Sequence, residues 1–168
     1  TFLHMVNHSL IKLLLFNLAG VIYMNTHALD LNTVRGFGRK KPFLMITFLM
    51  GALGIGGMPF FNGYVSKTLL HESIVEYIAH LAAHGHSTII FRIIEWVFLF
   101  SGGLTVAYML KLFVCLFVEK NPKMQAQYDA KTSYITGLSK LVLGISALIL
   151  PIMGFFPSRT MDKMADMV

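Results

Sequence analysis

The chain has 168 residues, of which 55% are hydrophobic and only 13% charged. A soluble domain carries about 25% charged residues, so this composition, with a mean hydropathy of +0.66, excludes an ordinary soluble enzyme. The net charge of +6 does not signal nucleic acid, because several cations sit together in one short loop, Arg35, Arg39, Lys40 and Lys41.

The first predicted element covers residues 2–24, long enough to cross a bilayer. Within it His4, His8 and Lys12 recur at four-residue spacing, which stacks them along one stripe of a helix. Ionisable groups in a membrane span are costly, so they face protein or water and are functional candidates by default. The loop 25–42 follows, and its basic cluster reads as a cytoplasmic anchor.

The second element, residues 43–80, is too long for one straight span and is interrupted at Gly56–Gly63 by Gly57, Pro59 and Gly63. Broken backbone at membrane depth is tolerated only where protein or a watery cavity surrounds it. The half after the break carries Ser66, Lys67, His71, Glu72, Ser73 and Glu76, too polar for lipid.

A His-rich loop with no Lys or Arg follows at 82–88. The third element spans 89–118. Arg92 and Glu95 are three apart at its start, a spacing that allows pairing on the helix surface, and Trp96 suits the membrane interface. The loop 119–133 has mixed charge, the fourth element spans 134–156 with Pro151 inside it, and a short polar tail ends the chain. Lys and Arg counts place the first and third loops in the cytoplasm and the tail outside. Residues 1–168 read as a single membrane-domain piece of an all-α polytopic protein. The start at Thr1, already at the membrane stripe, leads us to expect a fragment of a longer subunit.

The stripe suggests chemistry. Histidine exchanges protons near neutral pH, and a lysine taken out of water holds its proton less tightly. His4, His8 and Lys12 can thus relay protons through water; the plain alternative is that His4 and His8 only hydrogen-bond neighbouring helices while Lys12 pairs with a carboxylate elsewhere. Lys67 is the second candidate, far from both ends of its element, with Ser66 beside it and His71 one turn on. Glu72 is five positions from Lys67 and off its stripe. Lys111 has equal claims as an accessory proton group and as a snorkelling anchor. His80, His84 and His86 lack Cys or carboxylate company at regular spacing, so no metal site is expected. One cysteine, Cys115, excludes an internal disulfide. No dinucleotide fingerprint, P-loop, nucleophile elbow or cluster-binding cysteine set is present, so no cofactor is expected in this chain.

The segment His4-x-x-x-His8-x-x-x-Lys12-x-x-Leu15-Phe16-x-x-x-Gly20, followed by Gly57-Met58-Pro59-Phe60-Phe61-Asn62-Gly63-Tyr64-Val65-Ser66-Lys67, resembles the antiporter-like proton-translocating membrane subunits. These include the large pumping subunits of respiratory complex I, the subunits of membrane-bound hydrogenases and formate hydrogenlyases, and the multisubunit Mrp sodium/proton antiporters. The resemblance implies a core of fourteen helices in two inverted repeats, of which this chain matches the last four. It implies that Lys12 belongs to a central hydrophilic axis, that Lys67 is the broken-helix lysine of an outward half-channel, and that His4 and His8 lead to Lys12.

Thr68 follows Lys67 where many complex I subunits have aspartate, which points toward a hydrogenase-type or Mrp-like branch. The first repeat's lysine, its glutamate partner and the inward half-channel are absent, so the chain alone is not a complete pump. The expected function is proton translocation in a redox-driven complex of the NADH:quinone oxidoreductase or hydrogenase type, with an Mrp-type Na+/H+ antiporter as the alternative. Expected partners are other membrane subunits, lipid and protons, or Na+ in the alternative. The expected setting is a bacterial or archaeal cytoplasmic membrane.

Overall fold

A computed structural model of the chain describes residues 2–156; the polar tail at 157–168 lies outside the described residues. The described residues fold as α1 (Phe2–Thr26), α2 (Leu31–Val34), α3 (Pro42–Gly56), α4 (Asn62–Ala83), α5 (Ile89–Phe113), a π-helical turn (Val114–Val118), α6 (Gln125–Ala130) and α7 (Gly137–Phe155). Three helices, α1, α5 with its π turn, and α7, are long and apolar enough to cross a membrane; α3 is a shorter apolar helix.

α1 buries Asn7, Ile11, Leu14, Leu18 and Ile22, a single stripe at helical spacing, against α3, α4 and α7. α3 is the central element. It is apolar on all sides, and Leu44, Phe48 and Ile55 join Leu14 and Leu150 in the core. Its approach to α1 is close at Gly51, where an added Cβ would stand 2.7 Å from Leu15 Cδ2. α5 packs on α3 and α4 but leaves Ile93, Trp96, Val97 and Phe100 exposed.

The break between α3 and α4 has a specific construction. Gly57 takes φ +76°, a left-handed conformation that glycine adopts without a Cβ penalty. The Met58 amide donates to the Leu53 carbonyl at 3.0 Å and the Gly57 amide to the Gly54 carbonyl at 3.1 Å. That pair is a Schellman stop, and Pro59 two residues on prevents the helix from resuming at once. Phe60 is also left-handed, φ +73°, an unusual conformation for an aromatic residue. Its ring stacks on Phe155 of α7 with centroids 5.2 Å apart. Its carbonyl lies where a side chain at Gly154 would be. α4 starts without a side-chain cap; instead Asn62 and Gly63 are buried against α3 and α1.

The basic loop is tied to the chain that follows α5. Arg35 pairs with Glu119 at 3.0 Å and Lys40 with Asp129 at 3.0 Å. Lys41 is only 3% exposed. Its ammonium donates to the carbonyls of Phe37 at 2.9 Å and Tyr128 at 2.8 Å and lies 4.3 Å from the centre of the Phe37 ring. The physical reason is the end of α5. A helix end leaves carbonyls without partners. Those of Cys115 and Leu116 accept from the amides of Gly36 and Gly38, both at 2.9 Å, and Arg39 donates to that of Val118 at 2.9 Å. The loop is therefore drawn onto the α5 terminus, and its cations are shared with the loop after it.

Burial lowers the proton affinity of Lys41, with partial opposition from the Asp129 carboxylate. The unfolded chain then binds more protons between the folded-state pKa and the ordinary 10.5, so stability rises with pH across that window. We expect the melting temperature of the wild type to gain on that of Lys41→Met as alkaline pH rises toward 10.5, measured in detergent. A constant difference between the two would remove Lys41 as the source.

Candidate functional site

The stripe on α1 faces the first turns of α4 across one cleft of about 420 Å3. His4, His8 and Lys12 line it from α1, Lys67 and His71 from α4, and Tyr108 from α5. The His4 and His8 rings lie 5.8 Å apart, centre to centre. His4 Nδ1 is 3.0 Å from the buried Ser66 hydroxyl, which in turn reaches the Gly63 carbonyl at 3.3 Å. Lys12 is half-buried, its ammonium 5.9 Å from the centre of the Phe16 ring.

Lys67 owes its position to the break. The Schellman pair satisfies the Leu53 and Gly54 carbonyls at the end of α3, and the Lys67 ammonium donates to the next one, Ile55, at 2.7 Å. A cation at a helix C-terminus is favoured by the helix dipole as well as by the hydrogen bond. Gly57 makes room for the stem, since a Cβ there would stand 2.9 Å from Lys67 Cδ. Gly57, Pro59 and Gly63 thus set up the local geometry that brings a lysine into the cleft.

Asn7 had no place in the sequence argument and is buried between α1 and the start of α4. Its amide donates to the Asn62 carbonyl at 2.9 Å and its oxygen accepts from Asn62 Nδ2 at 3.3 Å, which ties α1 to the first residue of α4. The available signal was a carboxamide within an apolar span, three residues from His4.

The structure also redistributes the accessory candidates. His71 lines the cleft. Glu72 lies on an exposed face of α4 and Lys111 on an exposed face of α5; neither lines it. Glu95 does not pair with Arg92 as its spacing suggested. Its carboxylate is 3.1 Å from His71 Nε2, and Arg92 is exposed. Helix packing, rather than spacing along α5, decides the partner: α5 lies against α4 with Glu95 opposite His71. No Asp or Glu lines the cleft among the described residues, so Glu95 reaches it only through that imidazole.

Apolar spans, a helix interrupted by a Schellman stop and a cleft rich in titratable groups define a polytopic helical integral membrane protein. Residues 1–89 match the family described as "NADH:quinone oxidoreductase/Mrp antiporter, TM", and the chain belongs to that family. It is 34% identical over 112 residues to NADH-ubiquinone oxidoreductase chain 5 of Aedes aegypti, a match covering 66% of this chain and 17% of that protein. It is 27% identical over 155 residues to putative antiporter subunit mnhA2 of Staphylococcus saprophyticus, covering 92% of this chain and 19% of the relative. It is 33% identical over 70 residues to formate hydrogenlyase subunit 3 of Escherichia coli K12, covering 42% of this chain and 12% of the relative. The chain therefore spans less than a fifth of the length of these relatives. No solved structure matches it.

Proposed function

We propose that the chain supplies part of a proton path in a redox-driven membrane complex of the NADH:quinone oxidoreductase or hydrogenase type, leading from Lys12 to Lys67 and on to the outer face. The observation that carries this is the shared cleft: two lysines and the histidine pair from separate helices open onto one space. At about 30 Å3 per water, about 420 Å3 has room for on the order of ten waters, enough to link Lys12, His8, His4 and Lys67 by hydrogen bonds.

The step follows from charge. Protonated Lys12 and protonated Lys67 would share a cleft on whose wall no carboxylate stands among the described residues, so like charge opposes holding both protons there. A proton arriving on Lys12 favours departure from Lys67, and His4 and His8 accept and donate along the way. The Lys67 ammonium is poised by the Ile55 carbonyl, and the amine left after release still has N–H groups to donate to it. Other membrane subunits would supply the driving reaction; the relatives' printed names, a numbered chain and two numbered subunits, support multisubunit partners. We place the complex in a bacterial or archaeal cytoplasmic membrane, a setting supported by the bacterial relative that matches 92% of the chain.

That same relative favours a second reading, a subunit of an Mrp-type Na+/H+ antiporter. Inverted membrane vesicles separate the two. In the redox reading, an electron donor acidifies the lumen and Lys12→Ala abolishes that acidification while the complex stays assembled. In the antiporter reading, a sodium pulse dissipates an imposed pH gradient and electron donors have no direct effect. Wild-type proton-to-electron stoichiometry in Lys12→Ala would overturn the role given to Lys12.

A further inference from the structure

Thr68, beside Lys67, is not a base that can hold its proton, and no carboxylate lines the cleft among the described residues. His71 stands one helical turn from Lys67, on the same stripe of α4 and on the same cleft wall. Its Nε2 is 3.1 Å from Glu95 Oε1, and its ring stacks at 10° on Phe98, with centroids 6.2 Å apart. The ring is thus held on two sides, by a carboxylate and by an aromatic face. The side chains of His71 and Glu95 remain 33% and 23% exposed within this chain. Glu95 lies in the second turn of α5, close to the end that the charge distribution places outside.

We propose that His71 and Glu95 form the proton-release station for Lys67, with Glu95 as the acceptor that hands the proton to the outer face. The inference rests on the reading of the cleft given above. With Glu95 ionised, His71 Nε2–H donates to the carboxylate and Nδ1 is free to accept. A proton leaving the Lys67 ammonium through cleft water binds Nδ1. The Nε2 proton then passes to Glu95, which becomes a neutral carboxylic acid and releases the proton outward. Return of the imidazole to its first tautomer completes the cycle. Only N–H and O–H bonds are made and broken, and one proton moves per cycle. The other titratable groups on this cleft are His4, His8 and Lys12 from α1, Tyr64 and Lys67 from α4, and Tyr108 from α5. None of them is a carboxylate, and Glu95 is joined to the cleft by its hydrogen bond with His71, whereas Glu72 and Glu76 of α4 lie on its exposed face.

The test uses Glu95→Gln in the native complex in inverted vesicles, with Lys67→Met measured in parallel. Glutamine keeps an oxygen that accepts from His71 Nε2–H, so a pair that only braces α4 against α5 would tolerate it. A proton acceptor would not, and translocation should fall about a hundredfold, the lower end of what a positioned proton-transfer group contributes. Glu95→Asp should restore most of the rate with a displaced pH profile. Wild-type translocation and an unchanged pH profile in Glu95→Gln would overturn the inference. If Glu95→Gln does not assemble, Glu95→Asp decides, and an unchanged pH profile there overturns it equally. Loss of translocation in Lys67→Met with a normal Glu95→Gln removes only the role of Glu95. Normal translocation in both removes the reading of the cleft itself.

Discussion

Lys67→Met is expected to lower proton translocation by about a hundredfold or more, the scale set by losing a group that carries the transferred proton. Assembly of the complex is expected to survive. Removing the ammonium takes away the 2.7 Å hydrogen bond to the Ile55 carbonyl, and a bond of this charged kind contributes about 1.5–3 kcal/mol. The same change removes a cation that is half withdrawn from water, which offsets part of the loss. Stability should therefore move little while transport collapses.

Lys67→Arg separates the two roles of this side chain more sharply. Arginine keeps a permanent charge and donors for the Ile55 carbonyl, but it does not release a proton in proteins. Beside the tight Gly57 backbone it should fold, hold the break and fail to translocate. Acridine-dye quenching in inverted vesicles reads the transport, and native gel electrophoresis reads the assembly. Wild-type quenching in Lys67→Arg would mean that Lys67 is a cap for α3 and carries no proton.

Gly63→Ala is expected to have the largest effect on folding. A Cβ at this position would overlap the Gly54 carbonyl oxygen and stand 3.3 Å from Ile11 Cδ1. The carbonyl cannot step aside, because it belongs to the last turn of α3 and accepts from the Gly57 amide at 3.1 Å. The start of α4 must shift instead, pulling on Asn62 and its hydrogen bond from Asn7. Overpacking of this kind costs about 3 kcal/mol or more when backbone has to move. Against a total stability of about 5–15 kcal/mol, that lowers both the melting temperature and the amount of protein in the membrane. Gly20→Ala is the matched control. Nothing lies within 4 Å of the added methyl, and alanine is favoured in a helix interior by about 1 kcal/mol. Thermal denaturation in detergent should show the two variants moving in opposite directions. A Gly63→Ala protein as stable as Gly20→Ala would contradict the packing at the break.

The break itself was legible in the sequence. Gly57 and Pro59 inside an apolar stretch both work against a continuous helix, and the observed stop between α3 and α4 falls within the expected Gly56–Gly63. The stripe of His4, His8 and Lys12 was legible for a related reason, since helical spacing alone puts the residues together. What spacing within one helix cannot give is a partner on another. Glu95 has Arg92 at a suitable interval, yet the angle at which α5 lies on α4 turns it to His71. Lys67 was identified as a candidate by its depth, but its attachment to the Ile55 carbonyl depends on which carbonyls the Schellman stop leaves over. The reading of the loop cations as a cytoplasmic anchor says nothing of their partners, because composition does not reveal a π turn. That turn offers carbonyls to Gly36 and Gly38, and the residues after it, Glu119, Asp129 and the Tyr128 carbonyl, take Arg35, Lys40 and Lys41 as partners.

The walls of the break come from opposite ends of the described chain. Asn7 and Ile11 close it from α1, while Phe155 and the space at Gly154 close it from α7. α7 is the last of the described helices to leave the ribosome. Until it is in place, Phe60 lacks the Phe155 ring, and the break is held by the Schellman hydrogen bonds to α3 and the Asn7–Asn62 contact from α1. The turn that positions Lys67 at the end of α3 is thus complete only when α7, the last of the described helices, has packed against it.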